Sequence, residues 1–339
     1  MKAIACTGPG VIQHLDETKP ALQAGKALLR VKRIGICGTD LHAFEGVQPY
    51  FNYPRIIGHE LSAVIEEVDT SLGFLKDELV TIIPYFNCGH CIACRKNKPN
   101  CCVNLNVFGV HIDGGMREYI LVPEDKLVKG EGLSADELAL VELLAIGAHA
   151  VGRAAIEHGE FVLVVGAGPI GMGIMEFARI KGAEVIAMDT NIHRLQFCVQ
   201  HLNVKHIINP VKENLLTVLK SITQNDMATV VFDATGNLKA INNGINYLAH
   251  GGRYVLVGLQ KEDFHFNHPE FHKRESTLMS SRNALRSDFE NVIVHLKNES
   301  INPDNYITHR TLFNEMDSEK FKYWLNPEHK VIKAMISFD

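Results

Sequence analysis

Four cysteines lie close together in one short stretch of the chain, at Cys88, Cys91, Cys94 and Cys102. Thiolates are good ligands for Zn²⁺, and four of them complete its tetrahedral coordination without leaving an open position. In a chain without a secretory signal, clustered cysteines indicate metal binding rather than disulfide bonds. The spacing therefore predicts a closed, structural zinc site. An iron–sulfur cluster and a reduced cysteine-rich loop stay open as alternatives, and Cys101 competes with Cys102 as the fourth ligand.

A second set of potential metal ligands is dispersed along the chain, at Cys37 and at the adjacent His59 and Glu60. Neither half is diagnostic alone, because a single Cys or His in a small β-rich domain more often packs than binds metal. Together they offer thiolate, imidazole and carboxylate, a set that suits a catalytic zinc with one open coordination position. We expect Asp40 to accept a hydrogen bond from the ring N–H of His59 and so to fix its tautomer. Glu142 supplies a further carboxylate near the predicted domain junction.

A glycine-rich turn, Gly166-Ala167-Gly168-Pro169-Ile170-Gly171, follows the apolar run at residues 161–165. In this G-x-G-x-x-G pattern the first glycine permits a tight turn and the second lets the backbone approach a pyrophosphate. The third lets the following helix pack closely on the strand. The N–H groups at the start of that helix would then bind the phosphates. The pattern alone is weak, but its place between a strand and a helix predicts a dinucleotide site.

The residues downstream of the turn complete this prediction. Asp189 ends the next apolar strand, about 20 residues on, where a carboxylate holds the ribose 2′-OH of a dinucleotide. An acid repels a 2′-phosphate, so NAD is favoured over NADP, while Arg194 either softens that preference or stacks on adenine. Two later strands end in glycine, where a ligand would lie along the carboxyl ends of the sheet, although ordinary strand-ending glycines are the alternative. The cofactor contacts expected there are Thr235, Gly236, Val257 and Gly258.

The elements that position these residues follow two patterns. Up to residue 122, short runs alternate apolar and polar side chains, which predicts short antiparallel strands. Ser134 with Glu137 forms a capping box, after which the apolar period becomes helical. From residue 161 to 281 strands and helices alternate, including a helical segment at 173–181 and a strand at 253–257, which implies right-handed βαβ units on a parallel sheet. The tail at 331–338 predicts a strand of the first domain, and the α/β domain is then an insert.

Length and composition limit the remaining possibilities. A chain of 339 residues suggests two domains with real apolar cores. Its net charge of −5 gives no electrostatic support for a nucleic-acid surface. No apolar run approaches the roughly 20 residues that cross a bilayer, and the N-terminus lacks a signal-peptide pattern. We expect a cytoplasmic protein without nucleic-acid or membrane partners.

Taken together and in this order, the motifs resemble the zinc-dependent medium-chain alcohol and polyol dehydrogenase family over essentially the whole chain. The resemblance implies an α/β protein with a GroES-like, β-rich catalytic domain at 1–148 and 285–339. It also implies a Rossmann, doubly wound parallel-sheet domain that binds NAD at 149–284, with a cleft between the two. The segments that carry it are Gly35-Ile36-Cys37-Gly38-Thr39-Asp40-Leu41-His42, Gly58-His59-Glu60, the four cysteines, Gly109-Val110-His111-Ile112-Asp113-Gly114-Gly115 and the glycine-rich turn.

The resemblance also implies the roles of the metal ligands. Cys37, His59 and Glu60 would bind the catalytic zinc, and Glu142 would be either a ligand or bonded to zinc-bound water. The family usually has Glu-Pro where this chain has Glu142-Leu143, which leaves the reach of Glu142 open. With the four-cysteine site, each subunit would carry one catalytic and one structural zinc.

The implied reaction is a hydride transfer between a secondary alcohol and NAD. Zinc would act as Lewis acid on the substrate hydroxyl. Thr39 would accept the alcohol proton and pass it through the NAD ribose to His42 and solvent, since histidine titrates near neutral pH. Hydride would leave the carbinol carbon for nicotinamide C4, with the protein contributing position and charge stabilisation.

Within the family the chain resembles the sugar-acid dehydrogenases, notably those acting on L-galactonate. The resembling segments are residues 48–55, 269–275, 280–284 and 306–310. An aldonate substrate would place its carboxylate on Arg282 in a bidentate pair, although a surface or cofactor-contacting arginine is an equal alternative. His111 either lines the pocket or is structural. The remaining substrate contacts expected are Phe51, Glu142 and Asn283.

Several alternatives to a sugar-acid dehydrogenase stay open. A polyol dehydrogenase of the sorbitol or xylitol type and an L-threonine-type dehydrogenase share the same motifs. A zinc-independent reductase would lack the catalytic metal, and a non-enzymatic zinc-ribbon module would bind nucleic acid. The resemblance further implies a homodimer or homotetramer, pairing through the edge strand at 277–281.

Overall fold

The computed structural model describes residues 1–69 and 72–339. They divide into two compact units, a first unit of Met1–Glu142 with Leu285–Asp339 and a second unit of Leu143–Ala284. The functional domain boundary at 148 and 149 stays a prediction. Among these residues, no helix combines the length and the apolar character needed to cross a membrane.

The strands and helices follow one another along the whole chain. The strands are β1 (Lys2–Gly8), β2 (Val11–Asp16), β3 (Lys26–Gly35), β4 (Arg55–Ile56), β5 (Glu60–Val68), β6 (Leu79–Ile82), β7 (Tyr85–Phe86), β8 (Asn106–Val107), β9 (Tyr119–Pro123), β10 (Leu127–Lys129), β11 (Phe161–Val165), β12 (Glu184–Met188), β13 (His206–Ile208), β14 (Ala228–Asp233), β15 (Leu248–Leu256), β16 (Thr277–Ser280), β17 (Ile307–Leu312) and β18 (Lys333–Ser337). The helices are α1 (Gly38–Glu45), α2 (Ile92–Arg95), α3 (Ala135–Ala154), α4 (Pro169–Ile180), α5 (Ile192–His201), α6 (Leu215–Ile222), α7 (Leu238–Asn243), α8 (His268–Lys273), α9 (Arg286–Lys297) and α10 (Ser318–Leu325).

The first unit is built on a mainly antiparallel sheet with the strand order β10-β6-β5-β3-β18-β17, and β9 also pairs with β3. Strand β3 is central, and its apolar side chains belong to the buried core of this unit. The C-terminal strand β18 pairs antiparallel with β3, with Ile336 opposite Ile34. The tail thus forms a strand of the first unit. This pairing also brings Lys333 beside the start of α1.

The second unit contains a parallel sheet with the strand order β13-β12-β11-β14-β15-β16. The strands β11, β12 and β14 are mostly buried, as expected for the central part of a sheet packed on both faces. The order reverses between β11 and β14, which makes the carboxyl ends of these two strands the switch point where ligands bind in such sheets. The predicted α/β class and the parallel inserted sheet are confirmed.

Two boundaries differ from the sequence prediction. Helix α4 begins at Pro169, whereas the pattern placed the helical segment from Gly173. Proline at the first helical position is favourable, because its fixed φ suits the helix and its missing N–H would be unbonded there anyway. Strand β15 begins at Leu248 and continues through a register irregularity, whereas the pattern began it at Arg253. The glycines at 251 and 252 concealed the earlier part of this strand.

Candidate active site

The turn before helix α1 is fixed by the side chain of Asp40. Cys37 is the N-cap of α1, and its backbone N–H donates to Asp40 Oδ2 at 2.9 Å. The other oxygen, Oδ1, accepts from the backbone N–H of Gly58 at 3.2 Å. Asp40 is buried, so it ties the Cys37 turn to the residue that precedes His59. The direct hydrogen bond predicted from His59 to Asp40 is not formed, because His59 Nδ1 lies 4.0 Å from Asp40 Oδ1.

The segment 109–115, singled out from the sequence, packs against the same turn. A Cβ on Gly114 would lie 2.5 Å from Gly58 O, and one on Gly109 would lie 2.9 Å from that atom. Side chains at these positions would push the His59 turn out of place. The glycines of this segment therefore act on the site through backbone packing.

Cys37, His59 and Glu60, hereafter the ligand cluster, come together in the first unit. One ligand atom from each of the three lies within 4.8 Å of the others. Glu60 pairs with Gly35 in the β3–β5 ladder, which places it beside the start of α1. His59 and Glu60 are buried and Cys37 is partly exposed, so the cluster is accessible from the cysteine side.

Lys333 is a member of this site that the sequence analysis did not find. Its Nζ lies 2.8 Å from Glu60 Oε1 and 2.6 Å from Oε2, and it donates to Ile36 O at 2.8 Å. Burial lowers the pKa of Lys333, but Glu60 and Cys37 outweigh burial and raise the pKa above its usual value. A Cβ on Gly35 would lie 2.5 Å from Glu60 Oε2, so glycine is needed there. The only sign of Lys333 in the sequence is that it is the single charged residue in the apolar stretch at 331–338.

Glu142 lies in helix α3 and is 4 % exposed. Among the described residues, it is not part of the ligand cluster defined by the 4.8 Å limit. The hydroxyl of the buried Tyr85 donates a hydrogen bond to Glu142 Oε1. Burial raises the pKa of Glu142, while the charge of His59 and the Tyr85 hydrogen bond act in the opposite direction. Burial and the Glu142 charge raise the pKa of Tyr85 well above its usual value, so its hydroxyl keeps its proton.

The charge balance of this region suits a divalent cation. Asp40, Glu60 and Glu142 are all buried within it, against the single lysine at 333. Burial lowers the pKa of His59, but neighbouring Cys37, Asp40 and Glu142 together raise it well above its usual value. Buried anionic groups need compensation by an ion or a partner, and a bound cation supplies it. The sulfur, nitrogen and oxygen donors match those that bind Zn²⁺.

The structure also brings the four predicted thiol ligands together on the loop around helix α2. The Sγ atoms of Cys88 and Cys102 are 3.5 Å apart, those of Cys91 and Cys94 are 3.5 Å apart, and those of Cys91 and Cys102 are 3.8 Å apart. Four sulfurs about 2.3 Å from a tetrahedral zinc would be about 3.8 Å from one another. Cys102 is within this group, whereas the neighbouring Cys101 is exposed.

Backbone N–H groups prepare these thiols for a metal. The N–H of Cys88 donates to Cys102 Sγ at 3.2 Å. Backbone hydrogen bonds from Cys94 and Val103 lower the pKa of Cys91 to about 6. All eight cysteines of the chain are free thiols. The loop therefore offers four convergent sulfurs, at least one of which readily becomes a thiolate.

In the second unit the glycine-rich turn adopts the geometry that its pattern predicted. Gly166 has φ +100°, a conformation that favours glycine. Gly168 is the N-cap of α4. A Cβ on Gly171 would lie 1.8 Å from Gly166 O, so the helix can approach the turn only without a side chain at this position. The free N–H groups of this helix start form a suitable site for a phosphate.

Asp189 connects the turn to the start of helix α5. Its Oδ2 accepts from the Ala167 N–H at 2.7 Å, and its Oδ1 accepts from the Asn191 N–H at 2.7 Å. Arg194 places a guanidinium nitrogen 4.0 Å from Asp189 Oδ2. Both side chains therefore lie at the glycine-rich turn, where the sequence analysis assigned them to the adenosine half of the cofactor.

The other predicted cofactor residues gather around Asp233, which the sequence analysis did not select. The Asp233 carboxylate accepts hydrogen bonds from the backbone N–H groups of Thr235 and Gly236, each at 3.1 Å. Its carbonyl accepts from the N–H groups of Val257 and Gly258, each at 2.9 Å. Asp233 thus holds the carboxyl ends of β14 and β15 together. A Cβ on Gly166 would lie 2.9 Å from Thr235 Cγ2, so this loop borders the glycine-rich turn.

The remaining predicted residues of the first unit are described by their burial and by single contacts. Thr39 is partly buried and His42 is exposed, both on helix α1. Phe51 is partly buried against the ring of Tyr53, with centroids 5.0 Å apart. His111 Nδ1 accepts from the Val107 N–H at 3.1 Å, a contact that fits its structural interpretation.

The substrate contacts assigned from the sequence lie in both units and stay predictions. Arg282 is exposed and Asn283 is partly buried, with φ +54°, in the second unit just after β16. Phe51 and Glu142 lie in the first unit.

Comparison with known proteins finds matches to two protein families. Residues 23–132 match the family described as alcohol dehydrogenase GroES-like domain, and residues 169–298 match the family described as zinc-binding dehydrogenase. The chain is 40 % identical to L-galactonate-5-dehydrogenase of Escherichia coli K12 over 339 residues, covering 100 % of this chain and 99 % of the relative. It is 32 % identical to 2-dehydro-3-deoxy-L-galactonate 5-dehydrogenase of Pseudoalteromonas atlantica, with 80 % of each chain covered.

A solved structure shares the fold along its whole length. It is the alcohol dehydrogenase RspB of E. coli CFT073 in complex with NADH, which is 29 % identical. It superimposes with a TM-score of 0.92 and covers 100 % of this chain and 99 % of the other.

Proposed function

The chain belongs to the zinc-binding alcohol dehydrogenase family, and from that premise we propose that it is an NAD-dependent sugar-acid dehydrogenase. Its substrate would be an aldonate of the L-galactonate type, oxidised at a secondary alcohol to the ketone or formed by the reverse reaction. The observation that carries this proposal is the convergence of Cys37, His59 and Glu60 in a chain similar over its full length to an L-galactonate dehydrogenase.

We assign one zinc to the ligand cluster and a second, structural zinc to the four cysteines. A zinc ion in the ligand cluster would supply Lewis-acid chemistry, lowering the pKa of a hydroxyl group of the substrate. Lys333 holds the Glu60 carboxylate through contacts to both of its oxygens. The partly exposed Cys37 leaves the cluster open to a substrate.

The proton of the alcohol would leave through helix α1. Thr39 would accept it, and with NAD bound His42 would release it to solvent. The partial burial of Thr39 and the exposure of His42 support this direction, because the relay must end at water. Bound NAD would supply the hydride acceptor, so that the alcohol would be oxidised to a ketone as NAD is reduced to NADH. The chain's own contribution is to orient the reacting groups.

The position of Asp189 supports NAD as the cofactor rather than NADP. Its carboxylate is held at the glycine-rich turn by the Ala167 N–H, where it accommodates ribose hydroxyls and repels a 2′-phosphate. Arg194, close to this carboxylate, would contact the adenosine half of the cofactor. The structural relative RspB was solved with NADH.

Arg282 is assigned to the substrate carboxylate, with Asn283, Phe51 and Glu142 as the other substrate contacts.

We further propose a homodimer or homotetramer that pairs through β16, which lies at the edge of the parallel sheet. The free cysteines fit a reducing, cytoplasmic environment. The net charge of −5 gives no electrostatic support for nucleic-acid binding.

A matched substrate panel tests the proposal. Initial rates would be measured with L-galactonate and with galactitol, in which CH₂OH replaces the carboxylate, each with NAD and with NADP. A charge-assisted contact contributes about 1.5–3 kcal/mol, so we expect L-galactonate with NAD to exceed galactitol in kcat/KM by roughly tenfold to a hundredfold. Arg282→Gln should remove most of this ratio. Equal rates for acid and polyol would make the protein a polyol dehydrogenase and would withdraw the role of Arg282.

A further inference from the structure

We propose that Tyr85 is a positioning residue of the active site, which holds Glu142 back from direct coordination of the metal. The inference rests on the proposed function, because it requires a metal in the ligand cluster. It concerns a residue that lies on a two-residue strand and carries no sequence motif. Tyr85 touches neither substrate nor cofactor in this proposal and acts only through Glu142.

The geometry fixes both ends of the contact. Tyr85 is 3 % exposed, and its ring packs edge-on against Phe289, with centroids 6.3 Å apart and an interplanar angle of 75°. Phe289 is fully buried on helix α9, so the phenol has little freedom to turn. The hydroxyl donates to Glu142 Oε1, and Glu142 is itself anchored on the long helix α3. A rigid donor therefore determines where this carboxylate can lie.

The two carboxylates near the metal site are held by different partners. Glu60 has both oxygens within 2.8 Å of Lys333 Nζ and is still within the ligand cluster. Glu142 is bonded to Tyr85 and lies outside the cluster among the described residues. The phenol would thus hold Glu142 outside the set of metal ligands, where its carboxylate would act on a water or hydroxyl rather than bind the metal itself. Removing the phenolic hydroxyl would free Glu142 to become a fourth protein ligand and would close the site.

Cobalt substitution tests this directly, because the visible absorption of Co²⁺ reports its ligands and coordination number independently of turnover. The holoenzyme would be prepared with Co²⁺ as wild type, Tyr85→Phe, Glu142→Gln and the double variant. The four-cysteine site contributes equally to each spectrum, so differences arise from the ligand cluster. We expect Tyr85→Phe to shift the Co²⁺ bands, to slow metal removal by a chelator, and to lower kcat about tenfold with an unchanged KM for NAD.

The double variant decides whether Tyr85 acts through Glu142. If it does, Tyr85→Phe changes the spectrum and the chelation rate in the wild-type background and adds less than a twofold effect in the Glu142→Gln background. Tyr254→Phe is the matched control, since Tyr254 is as deeply buried and its hydroxyl donates to Ile241 O in the second unit. That control should leave the Co²⁺ bands unchanged.

Two results would overturn the inference. One is a Tyr85→Phe spectrum and chelation rate identical to those of wild type, and the other is an effect of equal size with and without Glu142. Failure of the proposed function looks different, because NADH would not form with any aldonate while the cobalt spectra still responded to Tyr85→Phe. Absence of metal from the Cys37 site of the wild-type protein would overturn both.

Discussion

At the scale of single residues, the candidate active site depends on buried charges that offset one another. Lys333 and Glu60 are each about 1 % exposed and lie 2.6 Å apart. Taking such groups out of water is expensive, and the pair is tolerated because each neutralises the other. When one partner of a buried pair is removed, the other remains as an uncompensated charge. Lys333 is therefore needed for the stability of this region before any metal binds.

Replacing Lys333 by Met should destabilise the metal-free protein by roughly 3–5 kcal/mol, because the buried Glu60 carboxylate would lose its partner. Denaturant-induced unfolding of the metal-free protein measures this. Lys297→Met is the control, since Lys297 pairs with Glu131 at 2.9 Å at an exposed position where such pairs contribute about 1 kcal/mol or less. Saturating zinc should recover part of the loss in Lys333→Met only. Equal small effects in the two variants would show that Lys333 is not required.

At the scale of elements, two glycines of the glycine-rich turn have different surroundings, although the sequence pattern treats them alike. A Cβ on Gly171 would overlap the backbone of the turn at 1.8 Å. A Cβ on Gly168 would meet Arg194 at 3.8 Å, which is an ordinary contact. Gly171 is therefore required by the packing of α4 on the turn, whereas its neighbours leave room for a Cβ at Gly168, so the role we propose for Gly168 is to let the backbone approach a bound pyrophosphate.

Alanine at these two positions should give different results. Gly171→Ala should lower the thermal unfolding midpoint, because overpacking of this kind costs about 1–3 kcal/mol or more. Gly168→Ala should leave that midpoint unchanged and weaken NAD binding at least tenfold, about 1.4 kcal/mol, measured by fluorescence titration or calorimetry. Normal NAD affinity in Gly168→Ala would contradict a pyrophosphate site at this turn.

The elements with local signals could be predicted from the sequence. The glycine-rich turn, the Ser134 capping box and the parallel strands follow from residues that are close in the chain, and the structure confirms these elements. The four cysteines are equally local, and their convergence in space follows from one loop.

The residues that complete the site could not be predicted in the same way. Lys333 meets Glu60 only because β18 returns to β3, and Tyr85 meets Glu142 only because β7 lies beside α3. Asp233 also bonds to residues distant in the chain, because it accepts hydrogen bonds from the loops that follow two different strands. Such contacts depend on tertiary packing, for which a single sequence carries no periodic signal. The Asp40–His59 contact likewise depends on tertiary placement, which leaves His59 Nδ1 4.0 Å from Asp40 Oδ1.

At the scale of the whole molecule, each of the two units supplies one part of the proposed reaction. The first unit carries both metal-binding groups, and the second carries the glycine-rich turn and the parallel sheet. The chain leaves the first unit after Glu142 and returns to it at Leu285, so the metal-binding unit is completed only by the C-terminal segment. Lys333 lies on that segment, so the ligand cluster from the N-terminal part of the first unit is completed by a residue from its C-terminal part.

The zinc content per chain, with NADH formation from L-galactonate measured on the same samples, tests whether Cys37, His59 and Glu60 hold a catalytic metal. We expect two zinc ions in wild type and one in Cys37→Ala, with NADH formation lost and NAD binding retained. Cys198→Ala, which alters a buried cysteine outside both metal-binding groups, should keep both zinc ions and the activity. A Cys37→Ala protein that retained two zinc ions, or that still reduced NAD at the wild-type rate, would contradict a catalytic metal at these three residues.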